Sequence, residues 1–168
     1  MEKTEKSYAG YVVVAVDGSF SSIEALRTGY KMSKLVGKPM VAVTAWHLSH
    51  GLLPPQSWEP EEDAKVMLTR SIREAFRPAL APEIETLTLD GTPAEALLKL
   101  SADAEMLVIG SRGHSGLAGV MLGSVSAVCA AHAKCPVLVV HEVNAADTAD
   151  APNKPDHSAS DDWLSVSY

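Results

Sequence analysis

A glycine-rich stretch between two apolar segments is the part of this sequence best suited to chemistry. Five glycines occur between Gly110 and Ser124. Glycine tolerates a positive φ and a close approach to the backbone, so successive N–H groups can converge on an anion. Gly123 and Ser124 precede a predicted helix, whose unpaired N–H groups and dipole favour phosphate. The stretch is therefore predicted to bind phosphate, and the Ser124 hydroxyl can donate to it or ligate a metal ion.

Several common catalytic and phosphate-binding motifs are absent from the sequence. It contains no Gly-x-Gly-x-x-Gly, which disfavours a dinucleotide site, and no Gly-Lys-Ser/Thr, so a P-loop lysine is missing. No Gly-x-Ser-x-Gly elbow follows a predicted strand, so a nucleophilic triad is not supported. His47 and His50 have a metal-ligand spacing, but no cysteine or carboxylate cluster completes a tetrahedral site. We therefore predict no catalytic residue and no metal ion held by the protein alone.

Alternating apolar segments of strand and helix length surround the glycine-rich stretch. Strands are predicted over residues 11–16, 40–46, 84–89, 105–109 and 136–141. Helices are predicted over residues 22–36, from Pro60 to before Pro78, from Pro93 onward and over 124–133, with Ser21 and Thr92 as N-caps. Strands separated by helices imply right-handed crossovers and a parallel sheet.

Ligands of such sheets bind beyond the carboxyl ends of the strands, where the strand order reverses. Two loops are therefore of interest: the turn Asp17-Gly18-Ser19 after the first strand and the glycine-rich stretch after the fourth. We interpret Asp17 as a hydrogen-bond acceptor for a ribose, with a catalytic carboxylate and an Asx turn as the alternatives. Arg112 and His114 either pair with phosphate charge or point to solvent, and the sequence leaves both open.

The spacing Gly110-x2-Gly113-x9-Gly123-Ser124 resembles the ATP-binding signature of the universal stress protein family. The turn that begins with Asp17 is similar to the family's second nucleotide-contacting segment. Leu-Val-Ile-Gly-Ser-Arg-Gly and Cys-Pro-Val-Leu-Val-Val also resemble family sequences. The resemblance covers about residues 9–143 and is weakest over 47–62.

The resemblance implies a three-layer, doubly wound α/β fold of the adenine nucleotide α-hydrolase type, with five parallel strands in the order 3-2-1-4-5. It implies a homodimer paired through strand 136–141. It also implies ATP as the ligand, with Mg²⁺ carried by the nucleotide phosphates and Ser124 as a candidate ligand of that ion. The residues expected to contact the nucleotide are Ala15, Val16, Asp17, Ser19, Trp46, Ile109, Gly110, Arg112, Gly113, His114, Gly123, Ser124 and Val125.

The resemblance also assigns roles within this set. Ala15 and Val16 would line the base, Asp17 would take the ribose or adenine side, and Ile109 would pack near the nucleoside. Trp46 occupies the position where the family's second strand contacts adenine through its backbone. It is bulkier than the small aliphatic residue often found there, so it would stack on adenine or narrow the base pocket.

The charge of the chain limits its possible partners, and its distribution suggests where the folded domain ends. The chain has 168 residues and a formal net charge of −7, which disfavours nucleic acid as a partner. Residues 144–168 carry five Asp and one Lys, a charge of −4, and are expected to form a disordered acidic tail. We expect a flexible N-terminus over 1–8 and one nucleotide-binding domain over 9–143.

Cysteine usage and hydropathy indicate a cytoplasmic protein. Cys129 and Cys135 are too few for a disulfide framework, and both lie in apolar segments, as buried cysteines of a reducing compartment do. Residues 1–7 lack the apolar core of a signal peptide, and no apolar run approaches the ~20 residues that a membrane span needs. We therefore expect no membrane partner.

These observations favour an ATP-binding stress-response or signalling module with little ATP turnover. The first alternative is an enzyme that hydrolyses ATP slowly or forms adenylates, although the Ser-Gly-Gly-x-Asp-Ser and His-x-Gly-His motifs of adenylate-forming relatives are absent. The second is a sensor of cyclic AMP or another adenine nucleotide. The third is an interacting dimer with an empty pocket.

Overall fold

The computed structural model describes residues 7–47, 59–76, 84–113 and 122–141. These residues form a five-stranded sheet in the order β3-β2-β1-β4-β5, and every strand pair in it is parallel. The predicted fold class and strand order are confirmed. In chain order, the elements are β1 Val12–Ala15, α1 Phe20–Val36, β2 Met40–Trp46, α2 Pro60–Ala75, β3 Glu85–Asp90, α3 Pro93–Leu100, β4 Met106–Gly110, α4 Ser124–His132 and β5 Val137–Val140.

Helix α1 begins two residues earlier than the sequence predicts. Its N-cap is Ser19, whose extended backbone precedes the helix and whose Oγ accepts a hydrogen bond from the Ser22 N–H at 3.3 Å. The predicted cap, Ser21, lies inside the first turn and is buried. The predicted cap was wrong because Ser19 and Ser21 both stand where a cap could lie, and only the tertiary contacts of Ser21 distinguish them. Gly37 ends the helix as expected, at φ 66°.

The helices cover the two faces of the sheet in pairs. Alternate residues of a strand point to opposite faces, so Val12 and Val14 of β1 pack with α1 and α2, whereas Val13 packs with α3 and α4. Each face forms its own apolar cluster, and Leu26 and Leu68 are fully buried in the first. This three-layer arrangement leaves the carboxyl ends of the strands uncovered by helix packing.

The strand order reverses between β1 and β4. The chain leaves β1 toward β2 on one side and returns through β4 on the other. A crevice at the carboxyl edge between these two strands is the general ligand site of open α/β sheets. The turn that begins with Asp17 and the chain segment that follows Gly110 both meet at this edge.

Candidate functional site

A cavity of about 370 Å³ opens at the carboxyl edge, at the reversal point. Its volume lies in the usual range for small-molecule sites. It is formed by the ends of β1, β2 and β4 and by the first turns of α1, α3 and α4. The described residues that line it are Ala15, Val16, Asp17, Ser22, Val43, Thr44, Ala45, Pro93, Leu97, Ile109, Gly110, Arg112, Gly113, Gly123, Ser124, Val125 and Ser126.

One end of the cavity is apolar. Ala15 and Val43 are register partners in the β1–β2 pair, and Leu97 of α3 and Ile109 of β4 belong to the same apolar cluster. Alkyl side chains on three sides suit a flat, weakly polar group such as a purine base. Any hydrogen bonds to such a base would come from strand-end backbone groups and from Thr44.

The turn after β1 holds a carboxylate at the cavity. Asp17 Oδ1 accepts hydrogen bonds from the Ser19 N–H at 3.0 Å and from Ser19 Oγ at 2.6 Å, which is an Asx turn. Gly18 between them adopts φ 81°, a conformation that L side chains rarely take. The Asp17 carboxylate is thereby fixed in place, and its Oδ2 lies against Gly113, where an added Cβ would come within 2.6 Å of it.

The N-terminus of α4 forms the opposite wall. Its N-cap is Gly123, in extended conformation, and no side chain caps the helix there. In α1, by contrast, the Ser19 hydroxyl occupies that role. The N–H groups of the first turn of α4 have no acceptor within their own helix. Two of the residues that carry them, Ser124 and Val125, line the cavity. This geometry is suited to an anion.

Two ionisable side chains lie on the described wall of the cavity, Asp17 and Arg112. Asp17 accepts hydrogen bonds and would repel a phosphate placed directly against it. An anion would therefore be favoured near Ser124 and the exposed Arg112, and hydrogen-bond donors such as hydroxyl groups near Asp17. In the part of the chain that the structure describes, no group of three His, Cys, Asp or Glu residues could hold a metal ion.

The structure brings together most of the residues singled out from the sequence. Ser19 lies behind the wall as the partner of Asp17. Trp46 ends β2 outside the described lining, and its carbonyl accepts a hydrogen bond from the Gly91 N–H at 2.9 Å. His114 lies outside the described residues. The predicted residues that do line the cavity are Ala15, Val16, Asp17, Ile109, Gly110, Arg112, Gly113, Gly123, Ser124 and Val125.

The sequence reasoning missed one wall of the cavity. Its members lie at the end of β2 and in the first turns of three helices: Ser22, Val43, Thr44, Ala45, Pro93, Leu97 and Ser126. The expected pairing of β2 with β1 could have predicted that Val43 and Ala45 line the cavity. Nothing in the local sequence marks Leu97 or Ser126, since they reach the cavity only through helix packing.

The fold and the cavity define a doubly wound α/β domain with a ligand crevice at its reversal point. The chain belongs to the universal stress protein family, whose sequence profile matches residues 10–141. The segment from β1 to β5, which carries the whole cavity, falls within this match.

Relatives and solved structures agree with this assignment. Universal stress protein MT1672 of Mycobacterium tuberculosis is 32% identical over 139 residues, which is 77% of this chain and 94% of that protein. Universal stress protein Rv2005c of the same species is 29% identical over 154 residues, 86% of this chain. That match covers 52% of Rv2005c, so the chain spans about half the length of several curated relatives.

Among solved structures, a universal stress protein in complex with cAMP has a TM-score of 0.61 and 29% identity, and the match covers 82% of this chain and 100% of that one. The universal stress protein from Archaeoglobus fulgidus in complex with dAMP has a TM-score of 0.52 and 21% identity, with 80% and 99% covered. The second similarity concerns the fold alone. None of the helices in the described ranges has the length and hydropathy required to span a bilayer.

Proposed function

We propose that this chain binds ATP, with Mg²⁺ carried by the nucleotide, and acts as a dimeric cytoplasmic stress-response module with little or no ATP turnover. The observation that carries the proposal is the pairing of an apolar cavity end with the uncapped N-terminus of α4. A base would occupy the first and the phosphates the second. The Asp17 carboxylate, which lies against Gly113 at the cavity, would accept a hydrogen bond from the ribose.

Magnesium would enter with the phosphates. Mg²⁺ usually keeps several waters and binds proteins through one or two side chains together with substrate phosphates. Ser124, at the first position of α4, is the candidate protein ligand, because its hydroxyl lies at the helix terminus that would bind the phosphates.

Low turnover follows from the residue types present. Phosphoryl transfer requires positioned charge around the transferred group and an oriented nucleophile. The sequence lacks a P-loop lysine, and Arg112 is the single cation on the described wall of the cavity. Binding would instead change the affinity of the dimer for a partner by favouring one of two conformations.

Cyclic AMP is the second candidate ligand. A structure that is 29% identical to this chain contains it. Cyclic AMP has the same base but one phosphate, so it would make fewer contacts with the α4 N-terminus than ATP does.

The experiment that tests the proposal is isothermal titration of the purified chain with ATP, ADP, cyclic AMP and adenosine, each with and without Mg²⁺. Mass spectrometry of the native protein identifies any nucleotide that co-purifies. We expect ATP to bind most tightly and Mg²⁺ to strengthen it. The proposal fails if none of the four ligands binds at millimolar concentration, and preference for cyclic AMP would select the second candidate.

Turnover is measured in the same preparation by release of phosphate and of pyrophosphate from MgATP. We expect either rate to stay near the background of uncatalysed hydrolysis. Stoichiometric production of AMP with pyrophosphate would instead identify an adenylate-forming enzyme.

A further inference from the structure

Three consecutive carbonyl groups at the end of β4 each accept a hydrogen bond from another part of the chain. Gly110 O accepts from Ser126 Oγ of α4 at 2.7 Å. Ser111 O accepts from the Gly123 N–H at 2.7 Å. Arg112 O accepts from Ser21 Oγ of α1, and more distantly from Ser19 Oγ at 3.3 Å. This segment is thus held between the first turns of α1 and α4.

The two serine side chains that donate these hydrogen bonds from α1 and α4 are buried. Ser21 is 3% exposed and Ser126 is 4% exposed. A serine inside a helix usually donates to a carbonyl of its own preceding turn, as Ser33 of α1 does to Tyr30 O at 2.9 Å. Ser21 and Ser126 donate across to the β4 exit instead, 91 and 16 residues away in sequence. Their role is therefore tertiary.

These hydrogen bonds also determine where N–H groups point. The C=O and N–H of one trans peptide group are coplanar and directed oppositely, and the described residues contain no cis peptide bond. Fixing the Arg112 carbonyl, to which Ser21 donates, therefore fixes the N–H of Gly113, a residue that lines the cavity. The Gly110 carbonyl belongs to the peptide whose Ser111 N–H donates to Val140 O at 2.7 Å, so the Ser126 hydrogen bond instead fastens the first turn of α4 to β4, and with it the N–H groups of Ser124 and Val125 at the cavity.

We propose that Ser21 and Ser126 are positioning residues: Ser21 orients the Arg112–Gly113 peptide group, and Ser126 holds the first turn of α4 against β4, so that the Gly113 N–H and the first-turn N–H groups of α4 receive the phosphates of the nucleotide. The inference rests on the function proposed above and deepens it. Neither serine has to touch the phosphates for this role, because each acts through a carbonyl of the β4 exit. Loss of the Ser21 hydroxyl leaves Arg112 O with the more distant Ser19 Oγ, and loss of the Ser126 hydroxyl removes the hydrogen bond that ties α4 to Gly110 O.

The test compares Ser21→Ala and Ser126→Ala with the wild-type chain in two measurements. The first is titration with ATP and with adenosine, which has the same base and ribose but no phosphate. We expect ATP affinity to fall by about tenfold, the equivalent of one hydrogen bond, while adenosine affinity stays within about twofold. The second is amide hydrogen exchange of the ligand-free protein, in which the Ser111 and Gly123 amides, which donate to Val140 O and Ser111 O, should exchange faster in both variants.

Matched controls separate positioning from general destabilisation. Ser33→Ala removes a buried hydroxyl of α1 far along the helix, and Ser101→Ala removes one that bonds Leu98 O at 2.7 Å and the Lys134 N–H at 3.0 Å. Neither residue lines the cavity. Both controls should lower stability without changing the ratio of ATP to adenosine affinity. Ser126→Thr keeps the hydroxyl and should restore ATP affinity and slow exchange.

The outcomes distinguish the two proposals. Normal ATP binding by the wild type with an unchanged affinity ratio in Ser21→Ala and Ser126→Ala overturns the positioning role alone. Equal losses for ATP and adenosine, or equal losses in the controls, overturn it as well, because they indicate a general loss of folded protein. A wild-type chain that binds neither ligand overturns the proposed function and this inference with it.

Discussion

Gly113 and Asp17 lie in contact at the wall of the cavity, and we predict that disturbing this contact weakens ATP binding. A Cβ on Gly113 would lie 2.6 Å from Asp17 Oδ2, so Gly113→Ala displaces the carboxylate, whose other oxygen makes the Asx turn. We expect ATP to bind at least about tenfold more weakly, since hydrogen bonds to charged groups are worth about 1.5–3 kcal/mol. Titration calorimetry measures the affinity, and thermal melting should show a nearly unchanged fold.

The mechanism of that loss is tested by a double-mutant cycle with Asp17→Asn. If Gly113→Ala acts by displacing the carboxylate, its effect on ATP affinity should shrink once Asp17 has been replaced. Strictly additive effects of the two substitutions would show that Gly113 and Asp17 act independently.

Ser124 lies where the phosphates are expected, so a negative charge there should exclude them. Ser124→Glu places a carboxylate at the N-terminus of α4, where the helix dipole stabilises it by about 0.3–1 kcal/mol. We therefore expect ATP binding to fall by more than tenfold, by analogy with like-charge juxtapositions that cost several kcal/mol, while the melting temperature stays equal or rises.

The control for this variant is Ala127→Glu, which adds the same charge to an exposed position of α4 that does not line the cavity. It should leave ATP affinity nearly unchanged. Equal binding by wild type, Ser124→Glu and Ala127→Glu in calorimetry would place the phosphates elsewhere.

At the scale of the elements, Gly110 allows α1 and β4 to pack closely, in addition to being part of the glycine signature. A Cβ there would come within 2.5 Å of Ser21 Oγ and 2.8 Å of the Ser21 carbonyl carbon, so α1 approaches β4 closely only because Gly110 has no side chain. We expect Gly110→Ala to destabilise the fold by about 1–3 kcal/mol, since overpacking against backbone cannot be relieved by a rotamer change.

Urea unfolding followed by circular dichroism measures this effect. Gly123→Ala is the matched control, because its added Cβ would have its nearest contacts at 3.6 Å, an ordinary packing distance. Similar urea midpoints for the two variants would contradict the packing role of Gly110.

Cys129 and Cys135 belong to the apolar cluster between the sheet and helices α3 and α4. Burial raises the pKa of the Cys129 thiol above its ordinary value, and the nearby Cys135 adds to the effect. Burial also raises the pKa of Cys135. The folded state thus binds these protons more tightly, so the contribution to stability is complete below the unfolded pKa of about 8.5 and is lost as pH rises above it.

Both thiols should therefore react slowly with a disulfide reagent at pH 8 in the native protein and rapidly in urea. The free energy of unfolding should decline as the pH rises above about 8.5, and the decline should be smaller in the Cys129→Ala, Cys135→Ala double variant. Fast native reaction of both thiols would show that the packing around α4 is open.

At the scale of the whole molecule, β5 is the edge at which a second copy would pair. Pro136 O and Val140 O accept hydrogen bonds from β4, and residues of a strand alternate in direction, so the backbone groups of Val137 and Val139 face outward. Val139→Pro removes one outward N–H, which edge strands tolerate. We expect it to shift the dimer toward monomer in light scattering at micromolar concentration.

Retained secondary structure and retained ATP binding in Val139→Pro would show that pairing, rather than folding, was lost. A fully dimeric Val139→Pro protein would exclude β5 as the dimer contact. The outcome also bears on the proposed signalling role, which requires that the nucleotide change an interaction between copies or with a partner.

The sequence by itself determined the order of the elements, the parallel sheet and the position of a glycine-rich connection between β4 and α4. These depend on apolar periodicity, on glycine spacing and on helix caps such as Thr92 and Gly37, which act over a few residues. Tertiary structure alone decided that Ser19 rather than Ser21 caps α1, and that Val43 and Leu97 rather than Trp46 form the described wall of the cavity. Those features depend on strand register and helix packing, which bring together side chains far apart in the chain, and no local pattern records them.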